Sequence, residues 1–506
     1  MFRFLRYVLL IAVVLAGATA AAAYFVLQEP NRLRPEIESL IAARTGVAVR
    51  IDGDLDWRLW PPVSLRATAL SAEQGGRHWQ VGGVSLDLDA RSLVTDPNGW
   101  RIQALTLNDV NVVEDGNRLN LEQLTLADLS PGRDAPVSAN LSYTPADGTP
   151  IPMRIDGRLQ VDAEATSVSL RDARVATTDA EGVCNVELRA LPDPAPAPPA
   201  TAGDLLPLDL LLGYDGQGGC LLDWLQVDGQ RFERVDVDLT NTAGDGRARL
   251  TAPAFFGGAA ELDLSVDARE GAPRWRLVPT FREVNSQALL TWLEQRLVWA
   301  APLAYGGELT FQGNSRDAML ATLSGTTRFD GGQGTIDITA VKAEVRKMAE
   351  SFNEGERIAR WPDIWAYQRL VGDWRVDGTR HVVDATLDNL AVAAQGDYDP
   401  VGDEMDMAVT LTFGNDPSLP VFELNPLLYD LPIPLRCRGT LAEPACRLDS
   451  DGARSLLARA MAGGEDNELR ATLDRKIDEQ VPEQYRDAAR ALLEMLGGGS
   501  APPPEQ

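Results

Sequence analysis

The chain has 506 residues, 44% of them hydrophobic, which is more than one ordinary domain and enough for a large buried surface. Its 74 acidic and 47 basic residues give a formal charge of −27, which argues against binding a phosphate backbone through basic patches. Only two histidines, His78 and His381, occur, far apart in sequence, so imidazole catalysis or a histidine-rich metal site has little footing.

Val8 to Leu27 is a 20-residue run without a charge. At 1.5 Å per residue it would span about 30 Å, the thickness of a bilayer core. Arg3 and Arg6 precede it, and Tyr7 and Tyr24 stand near its ends. The positive-inside rule then puts the N-terminus in the cytoplasm and the rest of the chain across the membrane. The competing reading is a signal peptide cleaved at Ala18-Thr19-Ala20. The apolar run continues through Leu27, longer than a signal core, and this favours a retained anchor.

Pro35 opens a short predicted helix with Ile37, Leu40 and Ile41 on one face and Gly46 at its C-cap. A strand follows at once. From Val47 to Leu59 the odd positions are Val47, Val49, Ile51, Gly53, Leu55, Trp57 and Leu59, and the even positions are mostly charged. A period of two gives one apolar and one polar face, with Gly53 as a bulge or bend and Pro61-Pro62 as the stop. Similar alternating runs recur at Val84–Leu88, Leu105–Leu107, Val110–Val112, Leu119–Leu121 and Leu124–Leu126, separated by turn signals such as Asp96–Gly99 and Glu114–Asn117. Spacings of about ten residues predict antiparallel meanders, because parallel strands need longer crossovers.

Residues 192–203 are rich in Pro and Ala and read as a semi-rigid linker or a long surface loop. Strands resume at Leu208–Leu210, Val235–Leu239 and Leu262–Val266. Asn285–Leu297 is an amphipathic helix with a polar N-cap, and Leu309–Phe311 and Thr335–Ile338 return to strand. From about Ala340 to Leu370 the period becomes helical. Val382–Leu387 and Met405–Phe413 are strands again. Helices are expected at 453–462, 468–480 and 483–496, before a Gly/Pro-rich tail.

Cys184, Cys220, Cys437 and Cys446 make an even count without any C-x-x-C pair, so disulfides are expected rather than a redox or zinc motif. A tight turn at Leu441-Ala442 would place Cys437 opposite Cys446 on neighbouring strands, and Cys184 with Cys220 makes the second pair.

Asp52-Gly-Asp-Leu-Asp56 lacks the glycine and glutamate positions of an EF-hand loop. It reads as a solvated strand face, as do Asp87/Asp89 and Asp236/Asp238. The glycine clusters at 213–219, 257–258 and 331–334 lack a following Lys-Ser/Thr and read as turns. The tryptophans Trp57, Trp60, Trp79, Trp292 and Trp299 read as packing anchors. No metal ligands, cofactor motif or catalytic constellation stand out, so no enzyme is expected.

Two stretches carry a family resemblance. The first is the apolar N-terminal run, the short helix, then Thr45-Gly46, Ile51, Gly53, Leu55, Trp57 and Pro61. The second is Leu431-Pro-Ile-Pro434 followed by Gly439-Thr440-Leu441, Pro444 and Asp449. Together they resemble the AsmA family of Gram-negative envelope proteins, relatives of TamB. The resemblance implies a single-pass bacterial inner-membrane protein with its C-terminal body in the periplasm, tied to phospholipid transfer and outer-membrane integrity. It implies no catalytic residues and no cofactor.

The expected fold is mainly β: a transmembrane helix, then a long twisted antiparallel sheet forming a taco- or sandwich-like groove, then C-terminal helices. The expected division is a cytoplasmic N-terminus (1–7), anchor (8–27), N-terminal β domain (28–190), linker or loop (191–204), C-terminal β domain (205–450), helical segment (451–496) and disordered tail (497–506). Val47, Val49, Ile51, Leu55, Trp57, Leu59, Leu86, Leu88, Leu105 and Leu107 are the expected lipid lining. In that case an aspartate at Ile51 or Leu88 would leave a folded protein that no longer passes lipid. The expected partners are the inner membrane, phospholipid, and outer-membrane assembly or lipid-transfer proteins, with no nucleic acid. The alternative is a non-catalytic assembly factor for outer-membrane proteins whose body is a closed β-sandwich.

Overall fold

The computed structural model describes residues 31, 34–45, 47–58, 63–74, 77–89, 101–114, 116–145, 148–198, 201, 203–295, 298–339, 342–343, 346, 355–416, 429–430, 432–440, 444–448 and 486. The expected anchor, the turn at Asp96–Gly99, the Leu441-Ala442 turn, the C-terminal helices apart from Arg486, and the tail lie outside the described residues. Among the described residues no helix is long and apolar enough to cross a membrane.

The chain forms two compact units. One runs to Ala254 and includes Glu261–Trp275; the other holds Phe255–Ala260 and the chain from Arg276 onward. Both are mainly β, with few helices.

The first unit opens with α1 (Arg34–Thr45), β1 (Ala48–Ile51), β2 (Leu55–Arg58), β3 (Val63–Gln74), β4 (Arg77–Leu88), β5 (Ile102–Glu114) and β6 (Asn117–Leu129). It continues with β7 (Ala135–Thr144), β8 (Ile151–Val161), β9 (Ser167–Thr177), β10 (Ala180–Ala190), the short helix α2 (Leu208–Gly213), β11 (Tyr214–Val227), β12 (Gln230–Thr242) and β13 (Asp245–Phe255), followed by β14 (Gly258–Asp267). β1 and β2 both pair with β3, and from β3 to β13 each strand pairs antiparallel with the next. Among the described residues no pairing joins β1 or β2 to β13, so this ladder is long and is not closed into a barrel.

β1 and β2 are one apolar alternation broken at Gly53. Ile51 faces Leu70 while Leu55 faces Ala67, so three residues on one side span two on the other. That extra residue is a bulge. It requires glycine, since a Cβ at Gly53 would lie 2.4 Å from Thr68 Oγ1.

The short runs of the sequence pattern differ from what is observed. Leu105–Leu107 and Val110–Val112 belong to a single strand, β5, and Leu119–Leu121 and Leu124–Leu126 to a single strand, β6. No turn separates them. Asp109 takes a left-handed backbone (φ 53°), and Glu122 is an extra residue where the β6–β7 register shifts. Each such residue reverses which parity points inward, so the buried set of β6 reads Leu121, Leu124 and Leu126, and Asp128 (φ 52°) reverses it again before Leu129. A phase slip inside a strand looks like a gap between strands.

Residues 191–204 connect β10 to β11, which pair with each other from Ala180 to Ala190 and lie in the same compact unit. Leu208–Leu210, read as strand, is instead the start of α2. Pro207 before it presets a helical φ, and Leu208, Leu211 and Leu212 recur at helical spacing.

The second unit contains most of β15 (Arg274–Asn285), α3 (Ser286–Trp292), β16 (Trp299–Ala300), β17 (Pro302–Gln312), α4 (Arg316–Ala321), β18 (Ser324–Asp337) and α5 (Gly355–Ala359). β19 (Ile364–Asp377), β20 (Arg380–Leu387), β21 (Leu390–Asp399), β22 (Glu404–Phe413), β23 (Ile433–Gly439) and β24 (Pro444–Leu448) complete it. From β17 to β24 each strand again pairs antiparallel with its successor. Asn285 caps α3, its Oδ1 accepting from the Ala288 amide at 3.0 Å, but α3 ends at Trp292 and not at Leu297. The helical period expected up to Leu370 is also corrected: Ile364–Asp377 is strand, with Trp365 and Tyr367 buried at a spacing of two and opposite Ile336 and Gly334.

Both disulfides are present. Cys184 and Cys220 are direct cross-strand partners with Cα atoms 4.1 Å apart, and Cys437 and Cys446 likewise at 4.0 Å.

Candidate functional site: an uncovered apolar sheet face

The strands of the first unit carry two kinds of apolar face. Val47, Val49, Ile51, Leu55, Leu86, Leu88, Leu105 and Leu107 all belong to one buried cluster with Ile37 and Ile41 of α1, and Trp57 is half-buried against it. Leu105 is 1% exposed, and its neighbours are closed off similarly. Of the residues expected to line a lipid groove, these nine therefore form a packed core. Leu59 lies outside the described residues.

Farther along, the face is open. Registers from β10 to β13 align the row Cys184–Cys220–Val237–Leu250 and the row Val186–Gly218–Leu239–Ala248, and β14 adds Leu264 and Val266. Val186, Leu188, Val237, Ala248, Leu250 and Leu264 are half-buried, and Leu239 is 48% exposed. In the middle, Gly216 and Gly218 remove two side chains from β11 and leave a trough between the leucines of β10 and β12. An added Cβ at Gly216 would lie 2.4 Å from Leu188 Cδ2. Gly216, Gly218 and Gly219 are thus strand residues, whereas the sequence pattern made them a turn. The Gly331–Gly334 cluster likewise sits in β18, where the register shifts.

One end of this face forms an open-sided cavity of about 290 Å³, near the lower edge of the roughly 300–1,000 Å³ typical of small-molecule sites. Leu188, Leu206, Leu211, Leu239, Val266 and Trp275 are among its walls. Charge stays on the reverse face. Asp236 and Asp238 are exposed there, and Arg249 Nε donates to Asp263 Oδ1 at 2.6 Å. Beside this face, a double contact with Arg269 holds the Asp267 carboxyl down at about 2.

The second unit repeats the pattern on its own strands. Val383–Ala394–Val409–Leu435 and Ala385–Val392–Leu411–Ile433 are cross-strand rows of half-buried and buried apolar residues. His381 lies in this face, stacked on Trp374, whose Nε1 donates to His381 Nδ1 at 3.1 Å. Burial pushes the imidazole below its ordinary range against the opposing pull of Asp397. On the outer face Arg436 and Arg438 hold Asp406 at about 2. Trp292 packs on Phe256, and Trp299 donates to the Tyr367 hydroxyl, so both are packing groups.

Among the described residues no cluster of His, Cys, Asp or Glu is arranged to hold a metal ion. What the geometry offers is an apolar surface with polar groups behind it, suited to holding hydrocarbon.

The chain is 32% identical over 92 residues to Protein AsmA of Escherichia coli (strain K12). The match covers 18% of this chain and 15% of that relative, so the similarity spans only a small part of either protein. No family description matches the chain, and no solved structure matches it.

Sequence reasoning singled out apolar residues early in the chain, and those of them that are described are buried or half-buried in one cluster. Gly216, Gly218, Leu239, Ala248 and Leu264 were missed because alternation does not distinguish a covered face from an open one. The Gly-x-Gly at a period of two, inside a run that otherwise alternates, was the available signal.

Proposed function

We propose that this is an AsmA-like envelope protein that binds phospholipid acyl chains on its uncovered apolar face and supports phospholipid transfer to the outer membrane. Val8–Leu27 would anchor it in the inner membrane with the body in the periplasm. The activity is binding without chemistry, and the partners are the membrane, phospholipid and other lipid-transfer or outer-membrane assembly proteins. The observation that carries the reading is the face from β10 to β14. Apolar side chains there are left half-buried or exposed in a row, with a glycine trough between them. Soluble proteins rarely leave contiguous apolar surface uncovered without a ligand or partner for it.

A second reading, a closed-bodied assembly factor, draws support from the β1–β9 face, whose side chains pack shut. Mass spectrometry of lipids retained by the purified full-length chain separates the two. The transfer reading expects phospholipid in the wild type and its loss in Leu239→Asp. An empty wild-type protein would favour the assembly factor.

A further inference from the structure

The cavity end of the open face is partly walled by the chain itself. Between Cys184 and Cys220 the backbone leaves the ladder, and residues Leu206–Gly213 return across the apolar surface, ending in α2. Leu206 and Leu211 line the cavity together with Leu188, Leu239 and Val266. Leu212 is buried, its Cδ2 2.8 Å from where a Cβ on Gly244 would sit. Asn241 Nδ2 holds the strap down by donating to the Leu211 carbonyl at 2.8 Å, and the Leu191 amide donates to the Gly213 carbonyl at 3.0 Å.

Three features make this strap separable from the sheet beneath it. Its helix has six residues and no side-chain N-cap, far below the roughly 12–15 residues at which a helix is even marginally stable alone. Its fold therefore depends on its seat. Leu205, just before the seated leucines, is 54% exposed and adds nothing to the seat. The Cys184–Cys220 disulfide ties β10 to β11 at the middle of their ladder, so the strap can lift without unzipping the strands it connects.

We infer that Leu206–Gly213 is a displaceable stopper: its leucines occupy the end of the apolar face that an acyl chain takes when it binds. This rests on the acyl-chain reading above and adds to it a regulated, occupied resting state. A seated chain and a seated strap exclude each other, so the strap competes with the ligand and closes the hydrophobic surface when none is present.

The test uses the full-length chain held in amphipol without free detergent, with cis-parinaric acid as the fluorescent probe and protein-free amphipol as the blank. Leu206→Ser combined with Leu211→Ser should speed probe association at least threefold. In the wild type, probe saturation should increase hydrogen exchange at the amides of Leu210–Gly213 while those of β12 gain protection. If the wild type binds but the double variant matches its rate and the α2 amides are unchanged, the stopper is overturned and the chain-binding face stands. Absence of binding by both proteins overturns the face and the stopper together. Should the double variant fail to fold, the wild-type exchange experiment decides alone.

Discussion

Leu105 and Leu239 are both leucines on apolar sheet faces, and their environments set opposite expectations. Leu105 is 1% exposed inside the packed cluster. Leu105→Ala should cost about 2–5 kcal/mol, and Leu105→Asp should unfold the region, because a carboxylate there has neither water nor a partner. The same holds for Ile51→Asp and Leu88→Asp, whose side chains are equally enclosed, so the tolerance expected from sequence does not extend to them. Leu239 is 48% exposed. Leu239→Asp should leave the denaturation midpoint nearly unchanged, because its carboxylate reaches solvent. Urea melts of these variants provide the check. His381 gives a pH signature. Its unfolded-state value is near 6.5 and burial lowers the folded one. The unfolded chain then takes the proton first as pH falls. Stability from this group is complete above about pH 6.5 and declines below it. Protonation of Nδ1 would also break the bond from Trp374 Nε1. Melting curves from pH 7.5 to 5 should show this acid-side decline, flattened in His381→Leu.

At the scale of the element, the cross-strand disulfides and the glycine trough are the testable parts. Cys184→Ser with Cys220→Ser opens a loop of 36 residues and should cost about 4 kcal/mol by the chain-entropy relation. Differential melting of oxidised and variant protein checks it. Gly218→Val should fold with some loss of stability, since an added Cβ would lie 3.3 Å from the Asn185 backbone oxygen, a tight approach, and 3.5 Å from Val186 Cγ2, and it should narrow the trough and lower lipid retention severalfold. Much of this level was legible in the sequence. The alternation of Val47–Trp57, the bulge at Gly53, the capped helix after Asn285 and the pairing of Cys437 with Cys446 are all local patterns, and local patterns survive in one dimension. What was not legible arises from phase and coverage. Asp109 and Glu122 shift the inward parity inside a strand, which made β5 and β6 read as two strands each. Ile364–Leu370, the first half of β19, was read as helix because bulky residues separated by two and by three positions overlap over a short window. Whether Leu105 or Leu239 is covered depends on strands distant in sequence.

At the scale of the molecule, each of the two units contains a long antiparallel ladder, in sequence order from β3 to β13 in one and from β17 to β24 in the other, with acidic side chains on the outer face and hydrocarbon on the inner one. The formal charge of −27 disfavours self-association through the charged faces, while the inner face still needs a cover. In β1–β9 that cover is the protein's own core, and from β10 onward it is proposed to be lipid. The most direct measurement is site-specific photo-crosslinking in growing bacteria, with a photoreactive residue at Leu239 and controls at Asp238 and Leu105. The expected result is phospholipid captured at Leu239, with none at Asp238 on the reverse face or at Leu105 in the core. Equal capture at Asp238, or no lipid at Leu239 in a folded protein, would contradict the assignment of this face to acyl chains.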